Sequence, residues 1–244
     1  MANWIKNYVR FINKNCPEDK GLAGKVRCYL MDTGDEVKGN VSFDKVIPVP
    51  YELRTVESGN LSIGVNRFIE KYADFRKAFK EMLDSENSEL VIFFGKDYKN
   101  NADKICRYFD LYEKYGYTDW HEARCAMWGC GYEASETEVV DGGINFYTPW
   151  SPPLKVFEHL VKAFSNLIIE VTFTSECEYE PHCFRYEWTD GKLVRAIIMP
   201  NDDYKNFKET ASAEKKSLTE FATECMGMVV SHIYPVDGGM AFSE

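Results

Sequence analysis

Along this chain the spacing of apolar positions switches between two residues, the period of a strand, and three to four, the period of a helix. Trp4 to Asn13 alternates and predicts a strand. An acidic start at Pro17, Glu18 and Asp19, followed by Leu22, Val26, Tyr29 and Leu30, predicts a helix reaching Gly34. Asn40 to Pro48 predicts a short strand, closed by Pro48 and Pro50, which cannot sit inside a sheet. From Tyr51 to Ser135 helical spacing takes over. Phe68, Tyr72, Phe75, Phe79 and Met82 form one stripe, and Ile105, Tyr108, Phe109, Tyr112 and Tyr115 form another. Leu90 to Phe94 between them fits a buried strand or a helix equally well. A further helix is expected with Thr118 as N-cap and Asp119 and Glu122 in its first turn. It presents Trp120, Ala123, Met127 and Trp128 before Gly129 and Gly131 end it.

The second half returns to strands. Glu138 to Tyr147 predicts a hairpin turning at Asp141-Gly142. Ser151-Pro152 has the form of an N-cap with proline at the first helical position, opening a helix that buries Phe157, Leu160, Val161 and Phe164. The strand from Leu167 sets Leu167, Ile169, Val171, Phe173, Cys177 and Tyr179 on one face. Glu170, Thr172, Thr174, Glu176, Glu178 and Glu180 lie on the other. A second hairpin, His182 to Ile198, turns at Asp190-Gly191 and shows Phe184, Tyr186 and Trp188 on one side. A last helix buries Leu218, Phe221, Ala222, Cys225 and Val229. Strand-helix-strand, a helical interruption, then strand-helix-strand is the order of an α+β, ferredoxin-like antiparallel sheet with helices on one face. A single domain over 1–244 is expected, with a helical insertion after the second strand at about 51–137 and a C-terminal extension at about 200–244 beyond the extra hairpin.

Particular residues carry a resemblance that agrees with this order. Trp4 and Asn7, the run from Phe43 to Pro50 with Leu53, Trp120, Trp128-Gly129, and Phe146, Thr148, Trp150, Ser151, Pro152 and Pro153 are similar to the YubB-type ferredoxin-like family. The similarity covers residues 1–53 and 120–190. The chain departs from the family pattern at Ile5, where cysteine is usual, and at Trp128 to Tyr132, where Trp-Gly-Thr-Lys-Trp is usual. Proteins of this family are borne by phages, plasmids and prophages, and their biochemical function is unknown. The resemblance therefore implies a mobile-element protein in a bacterial host. Its setting makes a host or defence-system protein the expected partner, with counter-defence such as CRISPR inhibition as one role.

Composition narrows the classes. With 45% hydrophobic and 15% aromatic residues the 244-residue chain can build a core. No run of 18 apolar residues occurs and the N-terminus lacks the apolar stretch of a signal peptide, so a soluble cytoplasmic protein is expected, without membrane contact. Most of the eight cysteines are then expected as free, buried thiols. A net charge of −10 with no basic stripe disfavours duplex nucleic acid.

Candidate chemistry is sparse. Cys125, Cys130, Cys177, Cys183 and His182 could meet at one zinc, yet their spacing is not the two-residue knuckle of structural sites. His121 and Cys125, one helical turn apart, could form a thiolate pair, or His121 could simply cap the helix. Among 4 histidines there is no metalloprotease motif, and the chain has neither a nucleophile elbow nor a phosphate-binding loop, so no catalytic residue, metal or cofactor is assigned. Single-stranded RNA on the sheet is opposed by the carboxylates at Glu170, Glu176 and Glu178. The aromatic set remains. Trp4, Trp120, Trp128, Tyr147 and Trp150 form the candidate binding residues, with Trp150 expected as a packed floor and Trp120 and Trp128 as the walls. They are read either as a hydrophobic core tying insertion to sheet, or as a groove for a macromolecule. The alternative function is a tryptophan-lined pocket that binds, sequesters or transforms a small molecule or nucleotide.

Overall fold

The computed structural model describes residues 3–31, 40–175, 182–189 and 192–197. The chain divides into a sheet unit, Met1–Pro48 with Trp128–Glu244, and a helical unit, Val49–Met127.

In the sheet unit, β1 (Trp4–Asn13), β2 (Ser135–Val140), β3 (Gly143–Pro149), β4 (Leu167–Ser175), β5 (His182–Thr189) and β6 (Lys192–Ile197) form one antiparallel sheet ordered β2-β3-β1-β4-β5-β6. The first four strands keep the ferredoxin-like order, and the β5–β6 hairpin extends it past β4. The class is α+β, as expected. Two helices, α1 (Gly21–Leu30) and α8 (Leu154–Ala163), cover one face. Ile5, Val9 and Phe11 of β1, Ile144 and Phe146 of β3, and Ile169 and Val171 of β4 are buried beneath them. Ala23, Val26, Leu30, Val156, Phe157, Leu160 and Val161 supply the helical side of that core. The Phe157 ring lies 6.2 Å from Tyr186 of β5, so the added hairpin shares it. The helix expected from the C-terminal apolar stripe lies outside the described residues.

Close backbone approach fixes the middle of the sheet. A Cβ on Gly143 would stand 2.0 Å from the Val9 carbonyl oxygen, inside the β1–β3 ladder. Gly143→Ala is therefore expected to cost about 1–3 kcal/mol, because backbone rather than a flexible side chain must yield. A urea midpoint unchanged from wild type would contradict the packing.

Several boundaries differ from expectation. Helix α1 starts at Gly21, where the Asp19 carboxylate accepts the Gly21 N–H at 2.8 Å, and Tyr29 lies exposed with its edge on Phe164 rather than buried. Asn40 to Pro48 is not a strand. Beyond a single bridge from Val41 to Met31, its backbone turns: Phe43 and Asp44 N–H donate to the Glu133 carboxylate at 2.7 and 3.3 Å, and Ile47 N–H folds back on the Phe43 carbonyl. Those donors are then unavailable to a ladder.

The helical unit holds α2 (Tyr51–Arg54), α3 (Asn60–Lys71), α4 (Phe75–Asp84), α5 (Glu89–Phe94), α6 (Ala102–Tyr115) and most of α7 (Trp120–Trp128). Leu90 to Phe94 is thus helical. Phe68 meets Phe79, Phe94 and Phe109 at its centre, joined by Val65, Leu90 and Ile105. Helix α7 is capped by Asp119, not Thr118. The Asp119 carboxylate accepts from His121 and Glu122 N–H, while Thr118 gives its own N–H and hydroxyl to the Glu122 carboxylate.

Surface ion pairs lace this unit. Hydrogen bonds from Lys114, Lys99 and Lys71 hold Glu52, Glu86 and Glu89 respectively below the ordinary carboxylate range. Each folded pKa lies below its unfolded value, so the contribution is complete above the ordinary glutamate value of about 4.3 and is lost as pH falls through the folded values. Urea midpoints should be flat from neutrality to about pH 5 and decline below about pH 4, less so in high salt. A midpoint that rises on acidification would contradict the sign.

Candidate binding surface at Trp150

Strand β3 ends at Pro149, and the chain reverses within one residue. The Ser151 N–H donates to the Pro149 carbonyl at 2.9 Å while Trp150 takes φ = 72°, which makes Pro149-Trp150-Ser151 the strained form of γ-turn rather than its common inverse. A bulky side chain at such a φ costs on the order of 1–3 kcal/mol. The indole so displayed is 60% exposed. This overturns the expectation of Trp150 as a packed floor.

The turn is held from every side. Trp150 N–H donates to the Asn3 carbonyl at 2.7 Å. The Thr148 hydroxyl donates to the Ser151 carbonyl at 2.9 Å and accepts from the Asn7 amide at 3.0 Å. The Ser151 hydroxyl donates to the Gly129 carbonyl at 2.7 Å. Gly129, at φ = 89°, lets the Pro152 carbonyl approach to 3.3 Å from where its Cβ would be. Because Ser151 is spent on Gly129, α8 begins at Leu154 with Pro153 as an N-cap that offers no side-chain hydrogen bond, not at Pro152 with a serine cap. Asn7 and Thr148 are both fully buried, and Asn7 Oδ1 accepts no hydrogen bond from the described residues, a second local cost of about 1–3 kcal/mol. Two costs coincide around one exposed tryptophan.

Trp4 and Tyr147 flank this turn. Trp4 pairs with Pro149 in the β1–β3 register and is 36% exposed; Lys6 pairs with Tyr147. On the face opposite α1 and α8, the Lys6 ammonium sits 4.9 Å from the Tyr8 ring and 5.7 Å from the Tyr147 ring. Partial burial pulls its pKa down, and the two phenols outweigh that, leaving it above the ordinary lysine value. Trp4, Tyr147 and Trp150 thus emerge at one end of the β1–β3 pair.

Trp128 and Trp120 take other roles. Trp128 is fully buried, edge-on to Phe43, and its indole N–H donates to the Ile47 carbonyl at 2.8 Å. It is core, not wall. Trp120, half-buried in the helical unit, lies under the Arg124 guanidinium at 4.9 Å. His121 stands 3.9 Å from Cys125 Sγ, and burial together with Asp119 and Glu122 pushes the Cys125 thiol up, so it is no thiolate. Cys130 is buried. Among the described residues no three His, Cys, Asp or Glu side chains gather as metal ligands would, and Cys177 and the Cys183 side chain lie outside them.

The expected acidic face of β4 also changes character. Glu170 is buried, with Arg185 at 3.0 Å and Arg10 at 3.5 Å, and Thr172 beside it is buried too. Burial on both faces marks β4 as a central strand. The alternation of polar residues was a reading of an internal ion network as a solvated surface. Glu176 and Glu178 lie outside the described residues.

Sequence reasoning placed weight on Trp150 but missed its conformation. The available signal was proline at 149, 152 and 153, which bars both a continued ladder and an immediate helix. No described helix is long and apolar enough to cross a membrane. Compared with known protein families, curated proteins and solved structures, the chain matches none of them.

Proposed function

We propose that this chain acts by binding a macromolecular partner, with Trp150 as the anchor and Trp4 and Tyr147 beside it. The observation that supports this is the exposed indole held at a strained φ by four neighbouring hydrogen bonds. Backbone strain persists where the surroundings over-determine it, and it concentrates at ligand clamps and binding sites. Tryptophan is the residue most enriched among interface hot spots. The partner is a host or defence-system protein, in keeping with the phage and plasmid setting of the family the chain resembles, and counter-defence such as CRISPR inhibition is the role within that reading.

The deciding experiment immobilises wild-type protein and Trp150→Gly and exposes both to bacterial host lysate. A stoichiometric partner retained by the first and lost by the second supports the proposal. Equal recovery on both, or no stoichiometric partner on wild type, removes it.

A further inference from the structure

The helical unit carries a second surface that owes nothing to Trp150. Helices α3 and α5 cross backbone to backbone at Gly64, where a Cβ would stand 1.9 Å from the Phe93 carbonyl oxygen. With no side chain at the crossing to fill the flank, a cavity of about 570 Å³ opens there, a size typical of ligand grooves. Leu61, Ile63, Val91 and Ile92 line it. Ile92 is 80% exposed and Ile63 49%, although the phenylalanine core of the unit is complete without them. Contiguous apolar side chains left in water beside a cavity mark an interaction site.

One charge sits in that lining. Several other cations of the unit are paired: Lys71 with Glu89, Arg76 with Asp110 and Glu113, Lys99 with Glu86, Lys104 with Glu57, Lys114 with Glu52. The Arg67 side chain, which lines the cavity, makes no hydrogen bond or ion pair among the described residues. A guanidinium beside apolar walls offers a two-pronged seat for a carboxylate. The net charge of −10 repels a run of acids at longer range, so the matching ligand carries a single carboxylate.

We propose that the α3–α5 groove docks a mainly apolar peptide segment of a partner protein, its large side chains against Ile63 and Ile92 and one carboxylate on Arg67. The test uses labelled 12-residue peptides with leucines spaced around a central Glu, Gln or Lys, titrated by fluorescence anisotropy into the full chain. The Glu peptide should bind about tenfold tighter than the Gln or Lys peptide. Arg67→Glu should reverse the order in favour of Lys, and Ile92→Asp should weaken all three, with circular dichroism confirming that both variants are folded. Absence of binding by every peptide, no preference for Glu, or a preference that survives Arg67→Glu would overturn the proposal. Dodecanoate competing with the Glu peptide at equal concentration would also overturn it, by assigning the groove to a small amphiphile.

Discussion

Trp150→Gly is expected to weaken partner binding at least thirtyfold while leaving the fold nearly as stable as wild type. The binding loss follows from removing a hot-spot tryptophan, about 2–4 kcal/mol. Stability is set by three opposed terms. Relief of the positive φ returns about 1–3 kcal/mol. Extra freedom of glycine in the unfolded chain costs about 0.5–1 kcal/mol, and loss of the buried part of the indole costs about 1–2 kcal/mol. Taken at their midpoints these terms sum to within about 1 kcal/mol of zero, a shift of about 2–4 °C in Tm. Trp150→Ala keeps the strain and loses the packing, so it should fall about 1 kcal/mol below the glycine variant, the reverse of the usual order. Thermal melts of the two variants check this. Alanine more stable than glycine would show that the turn is not held at φ = 72° in solution.

Trp128→Ala is expected to do the opposite and cost about 3–5 kcal/mol, enough to bring a marginally stable protein near its unfolding threshold. The indole is fully buried against Phe43, which in turn meets Phe146 of β3, so its removal opens a cavity beside the sheet core. Trp128→Phe refills most of that volume and loses only the hydrogen bond to the Ile47 carbonyl, which places it between wild type and alanine. Urea titrations with unchanged m-values would measure both. A loss under 1 kcal/mol for the alanine variant would mean that Trp128 is not core.

These two tryptophans show where the sequence was legible. Most strands and helices, and hence the α+β sheet, could be read because alternation and helical spacing report burial directly: Ile5, Val9 and Phe11 share a face in the sequence and in the structure. Asn40 to Pro48 could not, so the second strand is Ser135–Val140 and the helical insertion precedes it instead of following it. The block from Thr148 to Pro153 could be recognised as distinctive. Its exposed indole could not, because exposure there depends on hydrogen bonds to Asn3, Asn7 and Gly129, residues distant in sequence. Glu170 failed for the same reason in reverse. A carboxylate alternating with apolar residues looks solvated until Arg10 and Arg185 arrive from neighbouring strands. The groove at Gly64 left no pattern at all, since it arises from what a glycine lacks.

The pairing of Glu170 with cations on both sides also bears on how the sheet opens. Arg10 belongs to β1 and Arg185 to β5, so one buried carboxylate spans the junction where the extra hairpin joins the ferredoxin-like strands. Peeling β5 and β6 away would strip one cation from a carboxylate largely shielded from water and would uncover Tyr186 over α8. Partial opening at that edge is therefore costly, and the six strands form one cooperative unit instead of a stable four with a fraying pair.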